Sequence, residues 1–341
     1  MKKNKNDFKI DIDYCLHNFP LRLSITDYCN LACFFCSNEG MDLRQRNKNY
    51  VDIFLLKRFI KILANRGLKK ISITGGEPSL HPKILDIVNF LNQFNFRDLF
   101  FHTNGINLNE VLMGELLKKF TKIAVSIHSM NFDTWTKITG GRREHFDKLL
   151  SNLSLLSESS KGLDIIIELK FVPIRGYNDS NKEFLDFLKY CSDKKFKFKF
   201  LNFEPILAEH IKKVIPFNEI KRKLIRLGCF QSSKKGSFRG QNNYLPIEIF
   251  HYKNTRGVAI EIGCGDSKVC NSCYLSNEIF VTPDFKIKPC HIDNFSLDLL
   301  KYIKNKDVEK ILYYILESRK FLSTAPGANI KVWQPIKKVK I

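Results

Sequence analysis

Between residues 18 and 205, short apolar runs alternate with longer stretches in which apolar residues recur every three or four positions. The short runs predict strands near 21–26, 70–74, 98–103, 123–127, 164–172 and 197–203. The longer stretches predict helices over 53–66, 82–94, 110–119, 143–158 and 180–194, with Gly67 and Asn95 as stops for the first two. Strands and helices in alternation are βα units, whose right-handed crossovers build a parallel sheet. Six of them curl into a partial (β/α)6 barrel of TIM type, which carries its chemistry at the C-terminal ends of the strands. The first strand is two-faced, since Leu21, Leu23 and Ile25 alternate with Arg22, Ser24 and Thr26. After residue 205 the rhythm fades. Residues 231–243 read as a polar loop, while Ile279–Thr282 and Lys286–Lys288 predict a hairpin turning at Pro283 and Asp284. The expected organisation is an extension over 1–17, an α/β barrel over 18–210 and a small α+β unit over 211–341.

Composition narrows the class. With 341 residues, 44% of them apolar, the chain can bury a full core. No apolar run approaches the length of a membrane span, and the N-terminal MKKNKNDFKIDIDY has no apolar signal core, so a cytoplasmic protein is expected. The net charge of +21 is diffuse: lysines are scattered over most exposed segments, in a composition rich in Lys, Asn, Ile and Phe. Neither a nucleic-acid module nor a basic run with interleaved aromatics stands out, so nucleic acid is not the expected partner. Of ten cysteines, seven fall into two metal-type groups, which suits a reducing compartment. Cys15, Cys191 and Cys229 stand apart and read as packing residues.

The first cysteine group follows the first strand directly, in LRLSITDYCNLACFFCS. Zinc usually takes four protein ligands, whereas a cubane [4Fe-4S] cluster on Cys29, Cys33 and Cys36 keeps one iron open. This C-x3-C-x2-C, together with KISITGGEP at 70–78, resembles the radical S-adenosylmethionine (radical SAM) superfamily. The resemblance implies an oxygen-sensitive cluster whose open iron is chelated by the methionine end of SAM. Gly75, Gly76 and Glu77 would approach the SAM amino group, and glycine lets a main chain come that close. Asn104 in the Thr-Asn-Gly turn after the third strand, Ser126 at the end of the fourth, and Phe35 beside the adenine complete the implied SAM contacts. One electron from an external donor of flavodoxin or ferredoxin type would cleave SAM to a 5′-deoxyadenosyl radical, which abstracts a substrate hydrogen.

The second cysteine group holds Cys264, Cys270, Cys273 and Cys290. Its spacing suits zinc as well as iron. Beside a radical SAM barrel, the expectation is an auxiliary [4Fe-4S] cluster on Cys270, Cys273 and Cys290, of the kind found in Twitch and SPASM domains, with Cys264 either a fourth ligand or structural. Over roughly residues 18–295 the chain resembles the GTP cyclase family that opens molybdenum-cofactor biosynthesis. Arg22 keeps a family arginine. Ser72 and His102, however, replace an arginine and a threonine, and Glu168 stands where the family has a lysine, with Lys170 two residues on. The reading drawn from these departures is a radical SAM enzyme whose substrate, a peptide or small polar molecule rather than GTP, meets Arg22, Ser72, His102 and Glu168 near the second cluster. The alternatives are the GTP cyclase itself, with Lys170, Lys199 and His102 taking over phosphate contacts, and a non-catalytic metal- or nucleic-acid-binding protein.

Overall fold

The computed structural model describes residues 11–36, 49–203, 205, 208–232, 247–261, 273, 278–291 and 293–324. Six parallel strands form its centre: β1 (Leu21–Ser24), β2 (Lys70–Thr74), β3 (Asp98–Thr103), β4 (Lys122–Ser126), β5 (Ile166–Phe171) and β6 (Lys197–Leu201), neighbours in that order. The helices Ile53–Asn65, Ile84–Leu91, Glu110–Lys119, Arg143–Ser159 and Asn181–Asp193 return the chain between them. Asp52, Asn109 and Ser180 start three of these helices, each accepting a hydrogen bond from a backbone N–H in the first turn. Gly67, at φ +92°, follows the first of them as a left-handed residue.

Alternation along each strand sorts the side chains onto two faces. Leu21, Leu23, Ile71, Ile73, Leu99, Phe101, Ile123, Val125, Leu169, Phe198 and Phe200 are buried with the apolar sides of the helices in one core cluster. The opposite face is polar. Register sets Arg22 beside Ser72, His102 beside Ala124 and Glu168, and Ser126 beside Lys170 and Lys199. The barrel therefore has a greasy outside under its helices and a charged inside.

Residues beyond 210 continue this sheet rather than forming another. Strand β9 (Thr255–Ile260) lies parallel to β6, with β8 (Ile247–Tyr252) and β7 (Phe230–Gln231) antiparallel beyond it. On the other edge, β10 (Ile279–Val281) lies parallel to β1 and is followed by β11 (Lys286–Ile287) and β12 (Leu297–Asp298). The expected boundary at 210/211 thus divides chain order, not the sheet. The sheet's edges thus fall on the two-residue strands β7 and β12, which are too short to offer much pairing to another chain. The hairpin expected at 279–288 is present, turning through Phe285 at φ +61°.

Five described α-helices are absent from the sequence reading: Ile12–Asn18, Phe132–Thr139, Phe217–Arg226, Leu300–Asn305 and Val308–Ser323. The first falls in the expected N-terminal extension, yet Cys15 and Leu16 are fully buried and the Arg319 guanidinium stacks 4.0 Å from the Phe19 ring centre. Cys15, Cys191 and Cys229 are all core residues, as expected.

Candidate active site

The loop leaving β1 carries Cys29, Cys33 and Cys36, and its backbone is held from several sides. Asn49 donates to the Asp27 carboxylate through its main-chain N (3.0 Å) and its Nδ2 (2.6 Å). Ala32 N and Phe34 N donate to the carbonyls of Thr139 (2.8 Å) and Ile138 (3.2 Å) at the end of helix Phe132–Thr139. Gly76 N and Glu77 N donate to Thr26 O and Tyr28 O, both at 2.8 Å. A Cβ on Gly76 would sit 2.4 Å from Tyr28 O, and one on Gly75, at φ +151°, 2.4 Å from Thr26 O. The two glycines therefore let the β2 turn lie directly on the cysteine loop.

The donors around the sulfurs fit a metal-bound thiolate. Leu31 N reaches Cys29 Sγ at 3.4 Å, and Asn104 Nδ2 reaches it at 3.9 Å. Burial, with the nearby Glu77 carboxylate, pushes the Cys29 thiol up to about 12, so a thiolate there needs cationic compensation. Three cysteines on one loop, with N–H donors at the sulfur of Cys29, fit a cluster held through three thiolates. When bound, the cluster and SAM would supply reductive cleavage of SAM and hydrogen abstraction.

Glu77 is buried and engaged. One carboxylate oxygen accepts from Thr103 Oγ1 (2.7 Å), Ser79 Oγ (2.6 Å) and Ser79 N (3.1 Å), the other from Asn104 N (2.6 Å). The side chain thus ties the β2 turn to the β3 turn. Burial raises its pKa while these four donors act the other way. Asn104 continues the brace, its Nδ2 donating to Asn30 Oδ1 at 2.7 Å.

Beneath these turns the inner face gathers ionisable groups from five strands and the segment before β10. Arg22 bridges to Glu278 Oε2 at 3.3 Å and donates to Thr74 Oγ1 at 3.3 Å. The two Glu168 oxygens face Lys122 (3.8 Å) and Lys199 (3.9 Å). Burial pushes the Glu168 pKa up, but Lys199, Lys122 and Lys170 together outweigh it and hold the carboxyl below its usual range. Ser72 Oγ lies 2.7 Å from His102 Nε2, and Lys170 Nζ contacts His102 Nδ1. Burial and then Lys170 drive His102 well below the ordinary imidazole range, so it stays neutral.

This arrangement has counterparts. The sequence model of the Radical SAM superfamily matches residues 23–191. A protein named GTP 3′,8-cyclase from Listeria welshimeri is 32% identical over 282 residues, covering 81% of this chain and 79% of its own. The chain belongs to the radical SAM superfamily. Among solved structures, Streptococcus suis SuiB bound to S-adenosylmethionine superposes with a TM-score of 0.61 at 15% identity, over 84% of this chain and 64% of SuiB. The present chain thus spans less than two thirds of the SuiB chain. Native anSMEcpe with bound AdoMet and a Kp18Cys peptide gives 0.58 at 16% identity, over 90% and 83%. These structures share the fold, and the α/β partial barrel expected for a radical SAM protein is the architecture observed.

Against that radical SAM frame, the structure brings together most residues singled out in the sequence. Gly75, Gly76, Glu77 and Asn104 meet the cysteine loop through the contacts above; Cys33 and Cys36 lie on the same loop as Cys29, but among the described residues no three ligating side chains are gathered closely enough to hold a metal ion as they stand. Ser126 ends β4 on the inner face, in register with Lys170. Phe35 packs edge-on to His128 (centroids 5.0 Å apart) and Phe203 (6.1 Å). Arg22, Ser72, His102, Glu168, Lys170 and Lys199 share the inner face of the sheet, although Ser72 is fully buried against His102. Of the second cysteine group, Cys270 and Cys264 lie outside the described residues. Cys273 and Cys290 are partly buried, the latter just past β11.

Sequence reasoning missed several contributors. Lys122 lies one residue before the strand expected at 123–127, so its inward position went unread. Helix Phe132–Thr139, which holds the cysteine loop, was signalled by Asn131 as N-cap and Gly140 as a left-handed stop. Buried Asn178 donates to His128 O (2.6 Å) and Val172 O (2.9 Å) and accepts from Ile174 N (2.6 Å), pinning the loops after β4 and β5. No local signal marks such a residue. Among the described residues, no helix is long and apolar enough to cross a membrane.

Proposed function

We propose that this chain is a radical SAM enzyme acting on an anionic substrate, with GTP, named in its relatives, as the first candidate. The observation that carries this is the inner face of the barrel, where, among the described residues, Arg22, Lys122 and Lys199 outnumber Glu168 and Glu278, with the Lys170 amine beside them. The expectation that Glu168 turns a triphosphate away loses its basis here. Each of its oxygens faces a lysine, so the carboxylate holds two cations in place instead of presenting an unmatched negative charge.

In this reading Cys29, Cys33 and Cys36 hold the SAM-binding cluster and the β2 and β3 turns receive SAM. Phe35 and Phe34 cover the site against water, and the inner cations orient the substrate. Cys270, Cys273 and Cys290 hold an auxiliary cluster beside the substrate. The parallel pairing of β10 with β1 supports that placement, since it brings Glu278 up to Arg22 and sets the hairpin that leads to Cys290 beside β1. An external one-electron donor supplies the reducing equivalent. A second reading, a substrate with fewer negative charges than a triphosphate, is favoured by Ser72 and His102 standing where the cyclase family has an arginine and a threonine.

The deciding experiment incubates anaerobically reconstituted protein with SAM, a reductant and GTP. GTP-dependent 5′-deoxyadenosine with a cyclised pterin precursor establishes the cyclase. SAM cleavage that GTP does not stimulate removes GTP from the reading and favours the second.

A further inference from the structure

Ser72, His102 and Lys170 form a hydrogen-bonded row across the inner face, from β2 through β3 to β5. Lys170 reaches His102 over β4, where the register position between His102 and Glu168 is the small Ala124. The row runs from a hydroxyl that is fully buried to the half-buried Lys170. Because His102 is kept neutral, its Nδ1 can accept from Lys170 while Nε2–H donates to Ser72 Oγ.

The groups facing Lys170 are mostly cations. Arg22 approaches from β1, Lys122 from β4, Lys199 from β6, and neutral His128 from the loop after β4. Glu168, on its own strand, has each oxygen against another lysine, and Glu278 is bridged to Arg22. Burial first, then Lys199 and Arg22, bring Lys170 down to about 7. An oxyanion reaching this face adds negative charge to a cluster in which, among the described residues, cationic groups outnumber carboxylates, and it favours the charged form of whichever neighbour can gain a proton. Arg22 is charged throughout, and Lys122 and Lys199 already face a carboxylate.

We propose that Lys170 anchors the anionic group of the substrate by a proton-coupled switch: its neutral amine takes one proton from solvent and becomes the ammonium that faces the incoming oxyanion. His102 and Ser72 hold the amine beforehand. No electron moves and no other bond changes. The inference rests on the anionic-substrate reading and adds to it a stoichiometry and a pH dependence. Binding takes up one proton above neutral pH and weakens as pH rises, without involving the cluster chemistry.

The test is anaerobic titration calorimetry of the reconstituted full-length protein with GTP at pH 8.5, in two buffers of different ionisation enthalpy. At that pH the triphosphate is fully ionised and contributes no proton. The expected result is uptake of about one proton per GTP, with affinity falling roughly tenfold between pH 8 and pH 9. Lys170→Arg, which carries a fixed charge, should bind with no proton uptake and a flat profile over the same range. Wild-type binding without uptake overturns the switch while leaving the anionic-substrate reading intact, as does uptake that persists in Lys170→Arg. If that variant does not fold, the wild-type proton count decides alone. Failure of both GTP and inorganic triphosphate to bind overturns the anionic reading and the switch together.

Discussion

Replacing Gly76 by Ala tests whether the β2 turn is a support for the cysteine loop. The added Cβ would stand 2.4 Å from Tyr28 O, 2.6 Å from Tyr28 C and 2.7 Å from Asp27 O, where ordinary contact begins at 3.4 Å. All three are backbone atoms, so no side chain can swing aside, and the loop must retreat by about 1 Å. That retreat breaks the bonds from Gly76 N to Thr26 O and from Glu77 N to Tyr28 O, both now 2.8 Å. Two backbone hydrogen bonds at about 0.5–1.5 kcal/mol each, plus overpacking of about 1–3 kcal/mol, give a loss of about 2–6 kcal/mol. Tyr28 directly precedes Cys29, so the same shift misplaces a sulfur. The assays are denaturant unfolding of the apoprotein and iron content after reconstitution. The control is Gly114→Ala in helix Glu110–Lys119, where a Cβ meets nothing within 4 Å. It should stabilise by about 0.5–1 kcal/mol. A Gly76→Ala protein with wild-type stability and full iron loading would refute the argument.

Three further outcomes are expected. Reconstitution should load about eight irons per chain, and Ala at Cys29, Cys33 and Cys36 should halve that; about four irons with one zinc in the wild type would remove the auxiliary cluster. Glu168→Gln should cost about 3 kcal/mol at pH 7, because Lys122 and Lys199 lose their shared carboxylate. Since the folded-state pKa of Glu168 is depressed, its contribution is complete above the unfolded value near 4.3 and fades as pH falls through the folded value. The gap between variant and wild type should therefore close in acid, and urea melts showing a constant gap from pH 7 to pH 3 would count against the ion pairs. Asn178→Ala leaves Ile174 N and the carbonyls of His128 and Val172 without that partner, and should lower stability by about 2–4 kcal/mol in chemical denaturation; a loss under 1 kcal/mol would mean water replaces the side chain.

Local signals made the barrel legible. All six central strands and five of the helices between them follow from runs and periods of apolar residues, because a strand or helix that buries one face must carry that pattern in its own sequence. The cysteine loop and the Gly-Gly-Glu-Pro turn were legible for a similar reason: their chemistry needs particular residues at fixed short spacings. Pairing across the chain was not legible. Only the fold sets β10 beside β1 and β9 beside β6, so that residues from the far end complete both edges of the sheet. Glu168 shows the limit most clearly. From the sequence its carboxylate argued against a triphosphate, but Lys122 and Lys199, brought in by the neighbouring strands, neutralise it. Glu77 likewise gains from the fold a role its motif does not carry, tying the β2 turn to the β3 turn through Thr103, Asn104 and Ser79. A side chain's type is written in the chain, but its charge and role depend on what the tertiary structure places within a few ångströms of it, where desolvation and neighbouring ions decide which form is stable.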